Sequence, residues 1–204
     1  MNNQAKKLNI RTFTGVAILA AIIVVLQCFC SVIKIGPVSI TLTLAPILVG
    51  AAVYGVGAGA LLGAVFGIIV FVTDSTALYL MGINFFMTAL LCIGKGILAG
   101  VAAGIVYKLL SKKSQLAAIV LAGIVSPIVN TGAFVAGMLV FFKDIIYGWA
   151  SSSGQPSMVA YIIFGLCGLN FIVELVVNLV LSSAVNTIVS ASAKFNNTVK
   201  EKYN

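Results

Sequence analysis

The sequence predicts an all-α, polytopic membrane protein: a bundle of six transmembrane helices with both termini in the cytoplasm. Of its 204 residues, 61% are hydrophobic and 8% are charged, whereas a soluble globular chain carries about 25% charged residues. The mean hydropathy is +1.19, and long apolar runs follow one another almost from end to end. About 20 apolar residues span a bilayer as a helix, so a single membrane domain is the simplest interpretation.

Six apolar segments carry this prediction. The first follows a basic tail and is too long for the apolar core of a secretion signal, which has about 7 to 15 residues, so we expect it to remain as a helix. Pro46 interrupts the second segment, and only residues 54–57 separate it from the third. Pro127 is expected to kink the fifth, because proline removes an intrahelical donor. The segments comprise residues 12–32, 40–54, 57–73, 84–110, 115–142 and 158–190.

The basic residues orient the predicted bundle. With six crossings, both tails lie on the same side as the loop between segments four and five, and cytoplasmic loops carry the excess of Lys and Arg. We therefore place cytoplasmic tails at residues 1–11 and 191–204, a membrane domain at 12–190, and outer loops at 31–39, 74–83 and 143–157. The inner side holds Lys6, Lys7, Arg11, Lys108, Lys112, Lys113, Lys194, Lys200 and Lys202, and the outer side holds Lys34 and Lys143.

Several classes of function are excluded by what the sequence contains. The net charge of +8 comes from tails and short loops without interleaved aromatic residues, so we expect no nucleic-acid partner. There is no histidine, and the four cysteines lack the spacing of zinc or redox motifs. Walker, GxSxG and HExxH motifs and paired carboxylates are missing too. We therefore expect no enzymatic activity, no metal and no cofactor, and any ATP hydrolysis must occur in a partner.

Polar residues inside the apolar segments predict a binding pocket. A charge at the centre of a membrane helix costs about 2.5 to 3.5 kcal/mol, yet Lys95 and Glu174 both fall in such segments. Counting about 1.5 Å per residue places Lys95, Asn130 and Asn170 about 16 to 18 Å below the outer surface, and Glu174 lies one turn deeper than Asn170. Trp149 in the third outer loop is a further candidate, since loops on a rigid scaffold commonly carry ligand contacts.

Two alternatives remain open for this polar set. Lys95 and Glu174 could form a structural ion pair bridged by asparagines, in which case breaking the pair would destabilise the fold. They could instead belong to a small-molecule pocket, which typically has apolar walls and a few fixed polar groups. The aromatic residues expected to line such walls are Phe85, Phe86, Phe134, Tyr161 and Phe171.

Small residues recur at helical spacing on three segments. Ala17 and Ala21 form an AxxxA pair on the first, while the third carries Gly59, Gly63 and Gly67 and the fourth repeats the pattern at positions 96, 100 and 104. Such residues let helix backbones approach closely in lipid. The glycine faces therefore serve either packing inside the bundle or docking of another membrane protein.

The run SITLTLAPILVGAAVYGVGAGALLGAVFGII at residues 39–69, with six segments and the AxxxA first helix, resembles the substrate-binding S components of energy-coupling factor (ECF) transporters. The likeness extends over residues 12–190. The later motifs SPIVNTG and GLNFIVELVVN resemble those of pantothenate-type members.

The resemblance implies a small prokaryotic membrane protein that captures a vitamin or precursor from outside. It would deliver this substrate to a module of one membrane T protein and two ATPases, by toppling in the bilayer. Ala17 and Ala21 match the face that contacts the T protein, and Gly59, Gly63 and Gly67 would suit the smooth face that toppling requires. The ligand would lie toward the outer side, among helices four to six.

The charge of Lys95 favours a substrate with a carboxylate, such as pantothenate, folate, biotin or lipoate, over neutral riboflavin or cationic thiamine. Two other classes of function remain as alternatives. A stand-alone secondary carrier would need ion coupling and often internal repeats, and Glu174 is the one acid within the apolar segments. A non-transporting membrane scaffold would use the same polar residues structurally.

Overall fold

A computed structural model describes the backbone of residues 3–31, 34–35, 38–39, 41–155 and 157–203, and the side chains of residues 10–31, 41–155, 157–168 and 171–195. Within these ranges the chain consists of helices joined by short turns and a hairpin in which β1 (Lys34–Ile35) pairs antiparallel with β2 (Val38–Ser39). The helices are α1 (Asn3–Cys30), α2 (Leu44–Tyr54), α3 (Val56–Thr73), α4 (Ser75–Ile83), α5 (Phe85–Leu110), α6 (Gln115–Phe141), α7 (Lys143–Ser152), α8 (Met158–Ala160), a π-helical segment (Tyr161–Cys167) and α9 (Gly168–Tyr203).

In the described part of the chain, five helical spans are long and apolar enough to cross a membrane. The predicted second crossing corresponds to α2, which is apolar but has only 11 residues. Its length of about 16 Å is roughly half of the 30 Å hydrocarbon core. The predicted helical membrane bundle is confirmed, with five full-length spans and one short helix. The spans are Ile10–Cys30, Val56–Thr73, Phe85–Leu110, Gln115–Phe141 and Met158–Phe195.

The break between α2 and α3 lies at Gly55, where the sequence analysis placed it. Gly55 has φ +94°, a backbone conformation that residues with a side chain rarely adopt. Its amide still donates to the Ala51 carbonyl and so closes the last turn of α2. One glycine thus ends the short helix and lets the chain begin the next span immediately.

Two predicted outer loops are instead short helices. Residues 75–83 form α4, and Asp74 caps its N-terminus: the side-chain Oδ1 accepts hydrogen bonds from Thr76 N at 2.9 Å and Ala77 N at 3.1 Å. Residues 143–152 form α7. The sequence analysis assigned no secondary structure to these loops, because helices too short to cross a membrane give no signal in a search for spans.

The sixth predicted segment is not a single helix either. It begins with α8, passes through the π-helical segment and continues as α9 from Gly168. The fifth predicted segment, in contrast, runs as one helix, α6, with Pro127 inside it. At the first turn of α6, Gln115 Nε2 donates to Asn186 Oδ1 and Ser190 Oγ of α9, each at 2.8 Å.

The most extensive helix contact joins α3 to α5. A Cβ atom added to Gly63 would collide with the Gly96 carbonyl oxygen, and one added to Gly59 would lie 2.7 Å from the Gly100 oxygen. Gly67 packs equally closely on the backbone at Cys92. These glycines therefore hold the bundle together from inside, which is the packing alternative. Among the residues predicted for docking, Ala17 and Ala21 take no part in this glycine contact and are exposed.

Three apolar clusters form the core, and the polar site lies where two of them meet. The first joins α1, α2, α3, α4 and α5 around Phe66, and the second joins α4, α5, α6, α7 and the π-helical segment around Met138. The third packs α2 against α5, α6 and α9 around Ile119. Helix α5 contributes residues to all three clusters.

Candidate ligand-binding site

Two small cavities lie side by side within the described bundle, each of about 20 Å³. Each has room for about one water molecule. Thr41, Lys95 and Phe134 line both, so these side chains form the partition between them. The first cavity is completed by Gln27, Val70, Asp74, Thr76, Ala77, Leu80 and Cys92. The second is completed by Asn130, Thr131, Leu166, Cys167, Phe171 and Glu174.

Lys95 is the central charged group of the site. It lies near the middle of α5 and is 8% exposed. Its Nζ lies 5.0 Å from the centroid of the Phe134 ring and 5.8 Å from that of Phe66. An ammonium group over an aromatic face gains electrostatic stabilisation, but this replaces only part of the hydration that burial removes. The two rings therefore stabilise the buried charge of Lys95 only in part.

Glu174 faces the same space from α9 and is 4% exposed. Its carboxyl group hydrogen-bonds with Thr41 and Asn130 and interacts electrostatically with Lys95. No oxygen–nitrogen distance of 4.0 Å or less joins Lys95 to any carboxylate among the described side chains. The ion pair that was one of the two alternatives is therefore not formed directly between the described side chains, and both charged groups line the second cavity.

The structure brings together three of the five residues predicted to bind substrate. Lys95, Asn130 and Glu174 line the second cavity. The side chain of Asn170 lies outside the described residues. Trp149 lies on α7, where its ring packs 5.9 Å from that of Tyr79, and it lines neither cavity.

The predicted aromatic walls are only partly present. Phe134 and Phe171 line the second cavity, and Tyr161 is buried in the second apolar cluster. Phe85 and Phe86 are 52% and 80% exposed, so their assignment to the walls is wrong. They lie at the start of α5, where an apolar ring facing lipid is as favourable as a buried one.

The sequence did not predict five lining residues with hydroxyl, amide or carboxyl groups: Gln27, Thr41, Asp74, Thr76 and Thr131. Asp74 begins the predicted outer loop at residues 74–83, but its side chain caps α4 and is 7% exposed. Gln27 is 1% exposed and lies on α1. An amide in the last turns of an otherwise apolar first segment was the available signal for Gln27, and an acid directly after a span was the signal for Asp74.

The wall of the second cavity includes an irregular piece of helix. Leu166 and Cys167 belong to the π-helical segment, and Gly168 then begins α9. Isolated π-helical turns are frequent at functional sites, because a widened turn re-aims the side chains that follow it. Here the side chains that follow include Phe171 and Glu174.

Ala17 and Ala21 lie away from the cavities, on the exposed side of α1. Their large neighbours Ile18, Ile22 and Val25 are also exposed. The opposite side of the helix packs into the first apolar cluster through Ile23 and reaches the first cavity through Gln27. Helix α1 therefore presents a small-residue surface outward and a polar group inward.

Comparison with known proteins identifies the family. A family model described as "ECF transporter, substrate-specific component" matches residues 11–191. Neither the search of curated proteins nor the search of solved structures found a match. The match favours an S component over the two other classes of function, a stand-alone secondary carrier and a non-transporting scaffold. The match covers most of the sequence, and the chain therefore belongs to the substrate-specific S components of ECF transporters, non-enzymatic multi-pass proteins of the prokaryotic cell membrane that capture substrate for transport.

Proposed function

We propose that this S component captures a small molecule with a carboxylate, of the pantothenate type, at the partition between the two cavities. The observation that carries the proposal is the Lys95 ammonium group, which is buried, lies near two aromatic rings and has no carboxylate of a described side chain within 4.0 Å. A ligand carboxylate would supply the missing counter-charge. Charge-assisted hydrogen bonds of this kind are stronger than neutral ones.

The size of the cavities adds a requirement for movement. A vitamin-sized ligand needs a pocket of about 300 Å³ or more, whereas each cavity has about 20 Å³. The described conformation is therefore a closed one, and binding must displace the partition formed by Thr41, Lys95 and Phe134. Lys95 and Phe134 are single side chains with rotatable bonds, so they can move while the helices stay in place.

Among the predicted binding residues, we assign direct contacts to Lys95, Asn130 and Glu174. Asn170 remains a candidate, one turn before Glu174 along α9. Trp149 is proposed as an indirect contributor, through its packing against Tyr79. For delivery, we propose docking to a T protein with two ATPases through Ala17 and Ala21, whose small exposed side chains permit close approach of another helix.

Calorimetry on the purified, detergent-solubilised protein tests the proposal. The panel is pantothenate, folate, biotin, lipoate, riboflavin and thiamine. We expect one acid to bind with one-to-one stoichiometry. Pantothenol is a matched control, because it replaces the carboxylate of pantothenate by a neutral alcohol. If pantothenate is the ligand, pantothenol should bind at least about tenfold more weakly, which corresponds to about 1.4 kcal/mol.

Two results would contradict the proposal. One is the absence of binding by every acid in a sample shown to be folded. The other is tight binding of thiamine or riboflavin with no binding of the acids, because an uncompensated Lys95 would then have no role in recognition.

A further inference from the structure

The two cavities contain a second chemical signal besides the charge of Lys95. Three buried oxygen atoms that belong to cavity-lining side chains have no hydrogen-bond partner among the described residues: Gln27 Oε1, Asn130 Oδ1 and Glu174 Oε2. The three side chains are 1%, 3% and 4% exposed. A buried polar atom without a partner destabilises the fold, so three of them in one place need an explanation.

All three atoms are hydrogen-bond acceptors. Carboxylate and amide oxygens accept and cannot donate, and they come from three different helices, α1, α6 and α9. The charged donor beside them is Lys95, which lines both cavities. The site therefore offers unpaired acceptors on both sides of a single cation.

We propose that the ligand is an acid that also carries several hydrogen-bond donors, such as hydroxyl, amide or ureido groups, and that these donors pair with Gln27, Asn130 and Glu174. The inference rests on the proposed function and narrows its substrate class. The carboxylate would lie at Lys95. One donor would reach Gln27 on the side of α1, and others would reach Asn130 and Glu174 on the side of α6 and α9.

The chain provides matched controls for this inference. Thr43 Oγ1 and Ser126 Oγ are also buried without a partner in the described part of the chain, but neither residue lines either cavity. Ser126 lies one turn before Asn130 on α6, and Thr43 lies directly before α2. Removing these hydroxyl groups changes the number of unpaired atoms without changing the cavity walls.

The first test compares acids that differ in their donors. Biotin and lipoate carry the same carboxylate-bearing tail, but biotin has two ureido N–H groups and the ring of lipoate has none. Pantothenate adds an acid with one amide and two hydroxyl donors. We expect pantothenate or biotin to bind at least about tenfold more tightly than lipoate, in keeping with the cost of leaving buried polar groups unpaired.

The outcomes of this comparison separate the two proposals. Tightest binding of lipoate would overturn the donor inference and leave the capture of an acid intact. Failure of every acid to bind to folded protein would overturn both. Equal binding of lipoate and the donor-bearing acids would also overturn the inference, because donors would then contribute nothing.

The second test removes an acceptor from the protein. Gln27→Leu should weaken binding of the donor-bearing acid by about tenfold. It should also raise the melting temperature of the ligand-free protein, because an unpaired buried oxygen is lost. Thr43→Val and Ser126→Ala should leave the affinity unchanged. Unchanged affinity in Gln27→Leu, or an equal loss in the controls, would overturn the inference. Should Gln27→Leu not fold, Asn130→Leu provides the same test from α6.

Discussion

The two sides of α5 differ in nearly every physical respect. On one side its glycines meet those of α3 so closely that backbone touches backbone. On the other side Lys95 and its neighbours border two cavities with unpaired polar atoms. The first side has no space for adjustment, whereas the second has side chains that can rearrange around a ligand. The contrast indicates that one helix serves as both a fixed support and a binding surface.

The distribution of partner helices follows the same division. Helices α1, α2 and α3 pack on the glycine side, and α1 carries the exposed Ala17 and Ala21. Helices α6 and α9, with the π-helical segment between α8 and α9, complete the cavity side. The division is not complete, because Gln27 of α1 and Val70 of α3 also line the first cavity. The second cavity is lined by Thr41 and by residues of α5, α6, the π-helical segment and α9, and not by the surface at Ala17 and Ala21 that we propose for docking.

The largest expected effect comes from breaking the glycine side. In Gly63→Leu the added side chain would have to displace the backbone at Gly96, and overpacking a close interface costs about 1 to 3 kcal/mol or more. We expect no folded protein by size-exclusion chromatography and circular dichroism. Gly132→Leu is the matched control, because nothing lies within 4 Å of a Cβ atom at that position of α6. Normal folding of Gly63→Leu would mean that the two helices are not in close contact.

The next effect concerns the docking surface. Ala21→Trp should reduce substrate uptake in cells to background, because a large ring holds the T protein away, while ligand binding by the purified S component stays unchanged. Ile22→Trp is the control, since its side chain is exposed and lies about 100° further round the helix. If Ala21→Trp transports normally, the alanine pair does not contact the T protein.

A smaller effect is expected from the cavity side. Lys95→Met should weaken binding of the acid ligand by more than about tenfold. The thermal stability should change little, because no direct ion pair is lost. Lys108→Met, an exposed lysine on the same helix, should bind normally. Retained affinity together with a lower melting temperature would show that Lys95 is structural and that the comparison between the two sides of α5 needs revision.

The smallest effect tests whether the cavity side depends on polar ties elsewhere. Gln115→Ala removes the hydrogen bonds from α6 to Asn186 and Ser190 of α9, each worth about 0.5 to 1.5 kcal/mol. We expect a melting temperature lower by a few degrees and an unchanged affinity. A large loss of affinity would show that the relative position of α6 and α9 controls the site.

Much of the fold was predictable because membrane helices are defined by long apolar runs. The break at Gly55, the burial of Lys95 and Glu174 and the helical packing of the third and fourth segments all follow from local patterns. The lengths of α1 and α9 were not predictable in this way. Both helices extend beyond their apolar parts, to Asn3 and to Tyr203. Hydropathy could not predict these ends, because it marks only the part of a helix that lies inside lipid.

The site was predicted less completely, for a related reason. Charged residues within apolar runs stand out, so Lys95 and Glu174 were found. Gln27, Thr41 and Asp74 lie near the ends of apolar runs, where polar residues are ordinary, and only the three-dimensional arrangement shows that they face the cavities. Trp149 was proposed as a ligand contact because of its position in a loop. In the structure it lies on α7, and its ring packs against Tyr79.

Asp74 has a consequence for how occupancy of the site can be observed. The same carboxyl group lines the first cavity and holds the amides of Thr76 and Ala77 at the start of α4. Any displacement of this group would release both amides from protection. Hydrogen–deuterium exchange at these two positions should therefore respond when the cavity is filled, while the amides in the middle of α5 keep their slow exchange.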